Sequence, residues 1–218
     1  ERSLRRLGVD CIDLYQLHWP NPGIPIEETL SAFEQLLEQG KVKHVGVGNL
    51  MPNELVLAKS LSKHIVSTQT EYNLFDRTVE TSILPFCNDT GLTLIAYSPL
   101  DQGRVANGNS KRELLNKIAK KYNATSFQIA LRWLIDRGNV VAIPKSINVF
   151  HLRDNARVLE LDIDSDDIEI INEKFFERVH YVLPSEIRVT QEGQGSRTTY
   201  ITLEEAKKNL LGFTPSPL

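Results

Sequence analysis

The strongest constraint on this chain is an alternation. Short apolar runs at Cys11–Leu17, Lys43–Val47, His64–Thr68, Leu92–Tyr97 and Asn139–Ile143 are separated by longer amphipathic stretches. The length and β-branched content of these runs predict buried strands. Pro25-Ile26-Glu27-Glu28 opens a predicted helix whose Ile26, Leu30, Phe33, Leu36 and Leu37 share one face, and Gly40 closes it. Thr125-x-x-Gln128 is a capping box ahead of Ile129, Leu131, Trp133 and Leu134. Further helices are predicted over Lys111–Lys121, Phe150–Leu159 and Asp166–Phe175.

Strands separated by helices, with no hairpin signal in this part of the chain, imply a parallel sheet of βα units. The choice is between an open dinucleotide-binding sheet and a (β/α)8 barrel. GxGxxG is absent, so an α/β (β/α)8 TIM barrel is expected. A closed barrel takes eight strands over ~250 residues, and five are read here within 218 residues. Two apolar sheet edges would be left unpaired. The expectation is therefore an incomplete barrel, with strands 4–8 present and 1–3 missing.

Composition removes several function classes. With 25 basic and 28 acidic side chains the formal charge is −3, which gives no global attraction to nucleic acid. No uncharged apolar run approaches the ~18 residues of a membrane span, and no secretory signal opens the chain. Cys11 and Cys87 lie inside apolar segments without metal-type spacing, so they are expected to be buried thiols in a reducing, cytoplasmic setting. No metal is expected.

Polar residues follow the apolar runs at their C-terminal ends: His18, Asn49, Gln69, Tyr97-Ser98 and Lys145-Ser146. In a barrel, chemistry sits at those ends. An imidazole, two amides, a phenol and an ammonium after five consecutive strands predict one site.

The motifs LGVDCIDLYQLHWP, GKVKHVGVGNL, QTEYN, IAYSPL and AIPKS resemble the aldo-keto reductase family in order and spacing, over residues 1–175. The resemblance implies NADP(H)-dependent hydride transfer to an aldehyde or ketone, with NAD as the second cofactor to consider. It implies that His18 is catalytic, orienting and polarising the substrate carbonyl, which suits an imidazole N–H. Asn49 and Gln69 would hold the nicotinamide carboxamide, since amides both donate and accept. Tyr97 would stack on the nicotinamide. Ser98 and Leu100 would belong to the loop crossing the pyrophosphate, whereas Asp101 is an unsuitable neighbour for that anion. Lys145 and Ser146 would contact the ribose 2′-phosphate, and Asn155 the adenine.

The chain departs from the family pattern in three places. Gly48 stands where many members have serine. His151 stands where many have an arginine, which weakens strict NADP preference. Of the family's Asp, Tyr, Lys and His tetrad only His18 has a counterpart. The others belong to the first three βα units, and none of Tyr15, Tyr72, Tyr97, Tyr122, Tyr181 or Tyr200 matches the proton donor. Loss of general acid catalysis costs ~10²–10⁴-fold, so this chain alone is expected to be inactive. Lys145 at a strand end also keeps a Schiff-base aldolase barrel as a third option.

Residues 176–218 form a C-terminal extension with a short α+β pattern. VHYVLPSEIRV predicts two short strands, QEGQGS a loop, and Thr202 to Gly212 a capped helix. This stretch resembles the opening of a ParB-like domain, and Arg188, Arg197, Lys207 and Lys208 could offer phosphates a basic face. The expected partner is a small-molecule carbonyl substrate. Nucleic acid enters only through the extension, and no membrane is involved. The alternative function is a non-catalytic NADP(H)-binding regulatory module coupled to a DNA-associated tail.

Overall fold

The computed structural model describes residues 1–106, 110–175, 186–191 and 197–202. The described elements run α1 (Arg2–Leu7), β1 (Ile12–Leu17), α2 (Ile26–Glu38), β2 (Val42–Gly48), α3 (Pro52–Leu61) and β3 (Ile65–Glu71). A 3-10 turn at Thr78–Thr81, α4 (Ile83–Thr90), β4 (Thr93–Tyr97), a second 3-10 stretch at Asp101–Ala106, α5 (Ser110–Lys121) and α6 (Ser126–Ile135) follow. The order ends with β5 (Val140–Ala142), α7 (Val149–Ala156), a 3-10 turn at Arg157–Glu160, α8 (Ser165–Phe175), β6 (Glu186–Gln191) and β7 (Arg197–Thr202).

The chain divides into two compact units. One comprises Glu1–Gln69 and Asp89–Leu92 with the C-terminal hairpin; the other comprises Thr70–Asn88 and Thr93 onwards through α8. In the first unit β1, β2 and β3 pair in parallel. In the second, β4 and β5 pair in parallel. All five predicted strands therefore form, each within three residues of its predicted bounds, in the parallel arrangement that βα alternation requires.

The first unit buries Val42, Val45, Val47 and Ile65 of its sheet, Leu30 and Phe33 of α2, and Leu55, Val56 and Ala58 of α3. Burial of this kind supplies ~1.5–3 kcal/mol per large side chain. One expectation needs correction: β1 is not buried. None of its residues is fully covered, and Leu14 remains 37% exposed. Among the described residues β1 pairs on one side only, with β2, so its apolar composition has nothing on the other edge to cover it. Cys11, just before it, is likewise half-buried rather than buried, while Cys87 is buried as expected. Burial pushes the Cys87 thiol up to about 12, which keeps it unreactive.

The second unit is organised around Trp133. Its indole donates to Asn172 Oδ1 at 2.9 Å, and the guanidinium groups of Arg77 and Arg137 lie over its ring at 5.0 and 4.4 Å. Tyr72, fully buried, meets the same ring edge-on and donates to Glu80, which Arg77 also binds. The capping box of α6 forms as predicted: Thr125 Oγ1 accepts from the Gln128 N–H at 3.2 Å, and Gln128 Oε1 accepts from the Thr125 N–H at 2.9 Å.

Three helices carry no clear signal in the sequence. Helix α1 buries nothing, and α3 carries Leu55, Val56, Leu57 and Ala58 as one consecutive apolar run, which hides the helical period. Helix α4 covers only eight residues. The predicted helix over Phe150–Leu159 stops at Ala156 and tightens into the 3-10 turn Arg157–Glu160. In the extension β6 and β7 make an antiparallel hairpin with Glu186 opposite Thr202 and Gln191 opposite Arg197. Residues 197–202, read as the approach to a helix, are thus a strand. The first predicted tail strand and the helix from Thr202 to Gly212 lie outside the described residues, apart from Thr202 itself.

Candidate functional site

The first unit brings three of the predicted residues together. His18 follows the last residue of β1, Asn49 follows β2, and Gln69 lies in β3 beside Gly48. Asn49 adopts a left-handed backbone (φ 58°), a conformation asparagine tolerates better than most residues. This turns its amide back: Nδ2 donates to the carbonyl of His18 at 2.8 Å, and its backbone N–H donates to the carbonyl of Gln69 at 2.8 Å. Asn49 is therefore a structural tie, and its Oδ1 and second amide hydrogen remain for a ligand. The His18 side chain is exposed, with its ring edge-on to Trp19 at 6.4 Å between centroids.

Gly48 has a local reason. A Cβ at this position would stand 3.0 Å from the carbonyl oxygens of both Leu17 and His18. The serine that the resemblance leads one to expect would press on the end of β1, so the glycine and the close approach of the two strands belong together.

In the second unit the ends of β4 and β5 and the start of α7 frame a cleft of about 690 Å³, within the size range of small-molecule sites. Of the predicted residues, Ser98, Leu100, Lys145, Ser146 and Asn155 line it. Tyr97 lies one residue before and is not part of the lining. It is half-buried, and burial, then the carboxylates of Glu71 and Asp76, pushes its phenol above the usual value. Asp101 is buried and does not line the cleft, in keeping with its exclusion as a ligand.

The loop after β4 is held in an unusual shape. Ser98 (φ 47°), Asp101 (φ 48°) and Gln102 (φ 51°) all take left-handed backbones, which cost about 1 kcal/mol or more each and persist only where the surroundings impose them. Here they do. The Ser98 carbonyl accepts from the Asp101 N–H at 2.9 Å and from Asn73 Nδ2 at 3.1 Å. On the opposite wall, the Ser146 hydroxyl accepts from the Asn148 N–H at 3.1 Å, and Asn148 Oδ1 caps α7 through the Phe150 N–H at 2.9 Å.

Sequence reasoning assigned no ligand role to Thr125, Phe127 and Asp154 of this cleft, nor to the buried Asn73 behind it. Asn73 closes the QTEYN motif, and its position there was the one available signal. His151 also lines the cleft. Lys145 is exposed and makes no ion pair among the described residues. An ammonium, an imidazole, hydroxyls and an amide beside Phe127 and Leu100 suit a ligand that carries both phosphate and an aromatic base, so the lining fits a dinucleotide. Among the described residues no group of three metal-type ligands converges, and no helix is long and apolar enough to cross a membrane.

Comparison with known proteins gives a consistent result. The sequence profile of the aldo/keto reductase family matches residues 1–175. The chain is 37% identical over 178 residues to methylglyoxal reductase YeaE of Escherichia coli, covering 80% of this chain and 62% of that protein. It is 34% identical over 173 residues to glyoxal reductase of Bacillus subtilis, covering 79% and 60%. An aldo/keto reductase of Klebsiella pneumoniae, solved with NADP and acetate, superposes with a TM-score of 0.73 at 33% identity, over 79% of this chain and 62% of that one. The chain thus spans about three fifths of the length of the curated relatives it matches. The family match ends at residue 175 and brings no support to a ParB-like reading of the extension.

Proposed function

The chain belongs to the aldo/keto reductase family, and from that premise we propose that it is the cofactor-holding part of a reductase acting on aldehydes or ketones. The observation that carries this reading is the cleft of the second unit, lined by five of the residues that the family resemblance assigns to NADP(H). When bound, NADPH supplies the hydride. Lys145 and Ser146 hold the 2′-phosphate, Asn155 the adenine, and Ser98 and Leu100 the pyrophosphate loop. Tyr97 stacks on the nicotinamide, and Asn49 and Gln69 bind its carboxamide. His18 donates an N–H to the substrate carbonyl oxygen as charge develops there. Short 2-oxoaldehydes are the first substrates to test, because the relatives named above are a methylglyoxal and a glyoxal reductase.

We read the five parallel strands as the fourth to eighth of an eight-stranded barrel, residues 1–175 as the reductase body and 176–218 as an appended segment. The strand count and the share of the relatives that is spanned support this. The free thiols Cys11 and Cys87 fit a reducing, cytoplasmic setting. The acid that protonates the carbonyl is then a tyrosine of the first three units.

Three of the described tyrosines, Tyr72, Tyr97 and Tyr122, agree with that assignment. Tyr72 and Tyr122 donate to the carboxylates of Glu80 and Asp167. Burial is the main cause that pushes both phenols up, and Tyr97 moves the same way. A proton donor working near neutral pH needs the opposite shift.

The same observation favours a second reading, in which the chain binds the dinucleotide without turnover and reports its state, through the extension, to a DNA-associated partner. Titration with NADPH followed by nicotinamide fluorescence tests the shared premise, and a flat titration refutes both readings. In the protein completed by the first three βα units, consumption of NADPH on addition of methylglyoxal favours the first. Binding without consumption in that protein, with a salt-dependent shift on duplex DNA, favours the second.

A further inference from the structure

Strands β1, β2 and β3 align in lateral rows. Gln16 lies beside Gly46 and Gly46 beside Ser67; Leu17, Val47 and Thr68 form the next row, and Gly48 lies beside Gln69 in the one after. Below these rows the pairing is different. Val45 pairs with Ile65, so Val66 is one residue too many in β3 and the register slips between Val45 and Gly46. Such a bulge re-aims the side chains that follow it. Without the slip every later side chain of β3 would point to the other face of the sheet.

We propose that Gln16 and Ser67 are positioning residues, whose hydrogen bond locks this slipped register and so aims Gln69 and His18 from one face of the sheet. Ser67 Oγ donates to Gln16 Oε1 at 2.9 Å, between strands that are not neighbours. The bond reaches across β2 because Gly46 has no side chain. A Cβ there would come 2.8 Å from Gln16 Oε1, and closer still to Ser67 Oγ. The bond can form only when β1–β2 and β2–β3 are both in register, so it reads two pairings at once. Side chains two apart along a strand share a face. Gln16 therefore shares its face with His18, and Ser67 with Gln69.

Serine at this place has no other justification. Ser67 is 2% exposed, a buried hydroxyl costs stability unless it is bonded, and a β-branched apolar residue would favour the strand more. The consequence of the register appears two rows up, where the Asn49 N–H meets the Gln69 carbonyl at 2.8 Å. That amide is the direct reporter of the lock.

The inference rests on the reading of His18 and Gln69 as reductase site residues, and the test separates the two. Amide hydrogen exchange is measured on the labelled full chain and on Ser67→Ala, Gln16→Met and the double variant. Exchange at Asn49 should rise about tenfold in each single variant, the equilibrium worth of one hydrogen bond, and no further in the double variant. Leu94, whose N–H meets the Asn139 carbonyl at 2.8 Å in the second unit, should change by less than about twofold. Imidazole resonances of His18 should move while those of His151 stay. Gly46→Ala, which forces the pair apart from the middle, should reproduce the pattern.

Unchanged exchange at Asn49, additive effects in the double variant, or an equal rise at Leu94 would overturn the lock. If exchange responds as stated but His18→Ala leaves carbonyl turnover intact in the protein completed by the first three βα units, the reductase role of His18 falls and the lock stands. The converse result removes the lock alone.

Discussion

Asn73 and Ser98 are joined by a hydrogen bond of 3.1 Å from the Asn73 amide to the Ser98 carbonyl, and this bond ties the rim of the cleft after β4 to the turn after β3. Asn73 is fully buried, and both ends of its side-chain amide are bonded. Its Oδ1 accepts from the N–H groups of Phe75 and Asp76, both at 2.9 Å, and its own N–H meets the Asp76 carbonyl at 3.1 Å. One side chain thus builds the turn after β3 and holds the loop after β4.

Asn73→Ala leaves the N–H groups of Phe75 and Asp76 unpaired and takes one of two donors from the Ser98 carbonyl, which should cost ~2–4 kcal/mol of stability. Urea unfolding measures this. Asn73→Asp keeps the two acceptor contacts and loses only the donor to Ser98, so its loss should be smaller, while its NADPH affinity should fall as far as that of the alanine variant. Full affinity in Asn73→Asp would mean that the loop holds its shape without this bond.

Ser98 lies in the left-handed region at φ 47°, where glycine pays no steric penalty. Ser98→Gly should therefore raise stability by up to ~1 kcal/mol while weakening NADPH binding through loss of the hydroxyl. A stability gain with unchanged binding would remove Ser98 from the cofactor contacts.

Lys145→Met tests the charge on the opposite wall. The ammonium is exposed and has no ion-pair partner among the described residues, so its removal should leave stability within ~0.5 kcal/mol. Charge-assisted bonds to phosphate contribute ~1.5–3 kcal/mol. NADPH affinity should drop about tenfold or more, and NADH affinity should hardly change. His151→Arg should act in the opposite direction on NADPH, because a guanidinium adds a second, bidentate contact. Equal losses for both dinucleotides in Lys145→Met would place the lysine elsewhere on the ligand.

The sequence carried the strands well and the rows poorly. β-branched runs such as LTLIAY announce a strand whatever surrounds them, and Thr125 with Gln128 announces a helix start by local chemistry alone. Whether a strand is covered depends on neighbours, which is why the apolar β1 read as buried and is not. The slip at Val45/Gly46 is likewise a property of two strands together, and neither segment marks it. Most of the cleft was legible because Ser98, Leu100, Lys145 and Ser146 follow strands directly. Asn73 was not, because a buried asparagine that bonds only backbone looks like any loop residue until its partners are known. Gly48 read as a missing serine, and the approach of the Leu17 and His18 carbonyls gives it a positive reason.

The contact between α5 and α8 should set the pH limits of stability. Asp167 is 2% exposed and accepts from Lys121 Nζ at 2.6 Å and from Tyr122 Oη at 2.7 Å. Burial pushes its carboxyl up, but the two hydrogen bonds outweigh this and hold it below the ordinary value. A depressed carboxyl contributes stability that is complete above its unfolded pKa of ~3.9 and is lost as pH falls from there through the folded value. Tyr122 is the mirror case. Burial first, then the bond to Asp167, pushes its phenol up to about 12. Its contribution is complete below the unfolded value of ~10 and is lost as pH rises from there to about 12. Asp167→Asn should cost ~1–3 kcal/mol at neutral pH, and the gap to the wild type should close below pH ~4. Tyr122→Phe should lack the alkaline loss. Thermal unfolding from acid to alkaline pH reads both limbs, and a gap for Asp167→Asn that persists unchanged into the acid range would mean that the carboxylate charge contributes nothing to the contact.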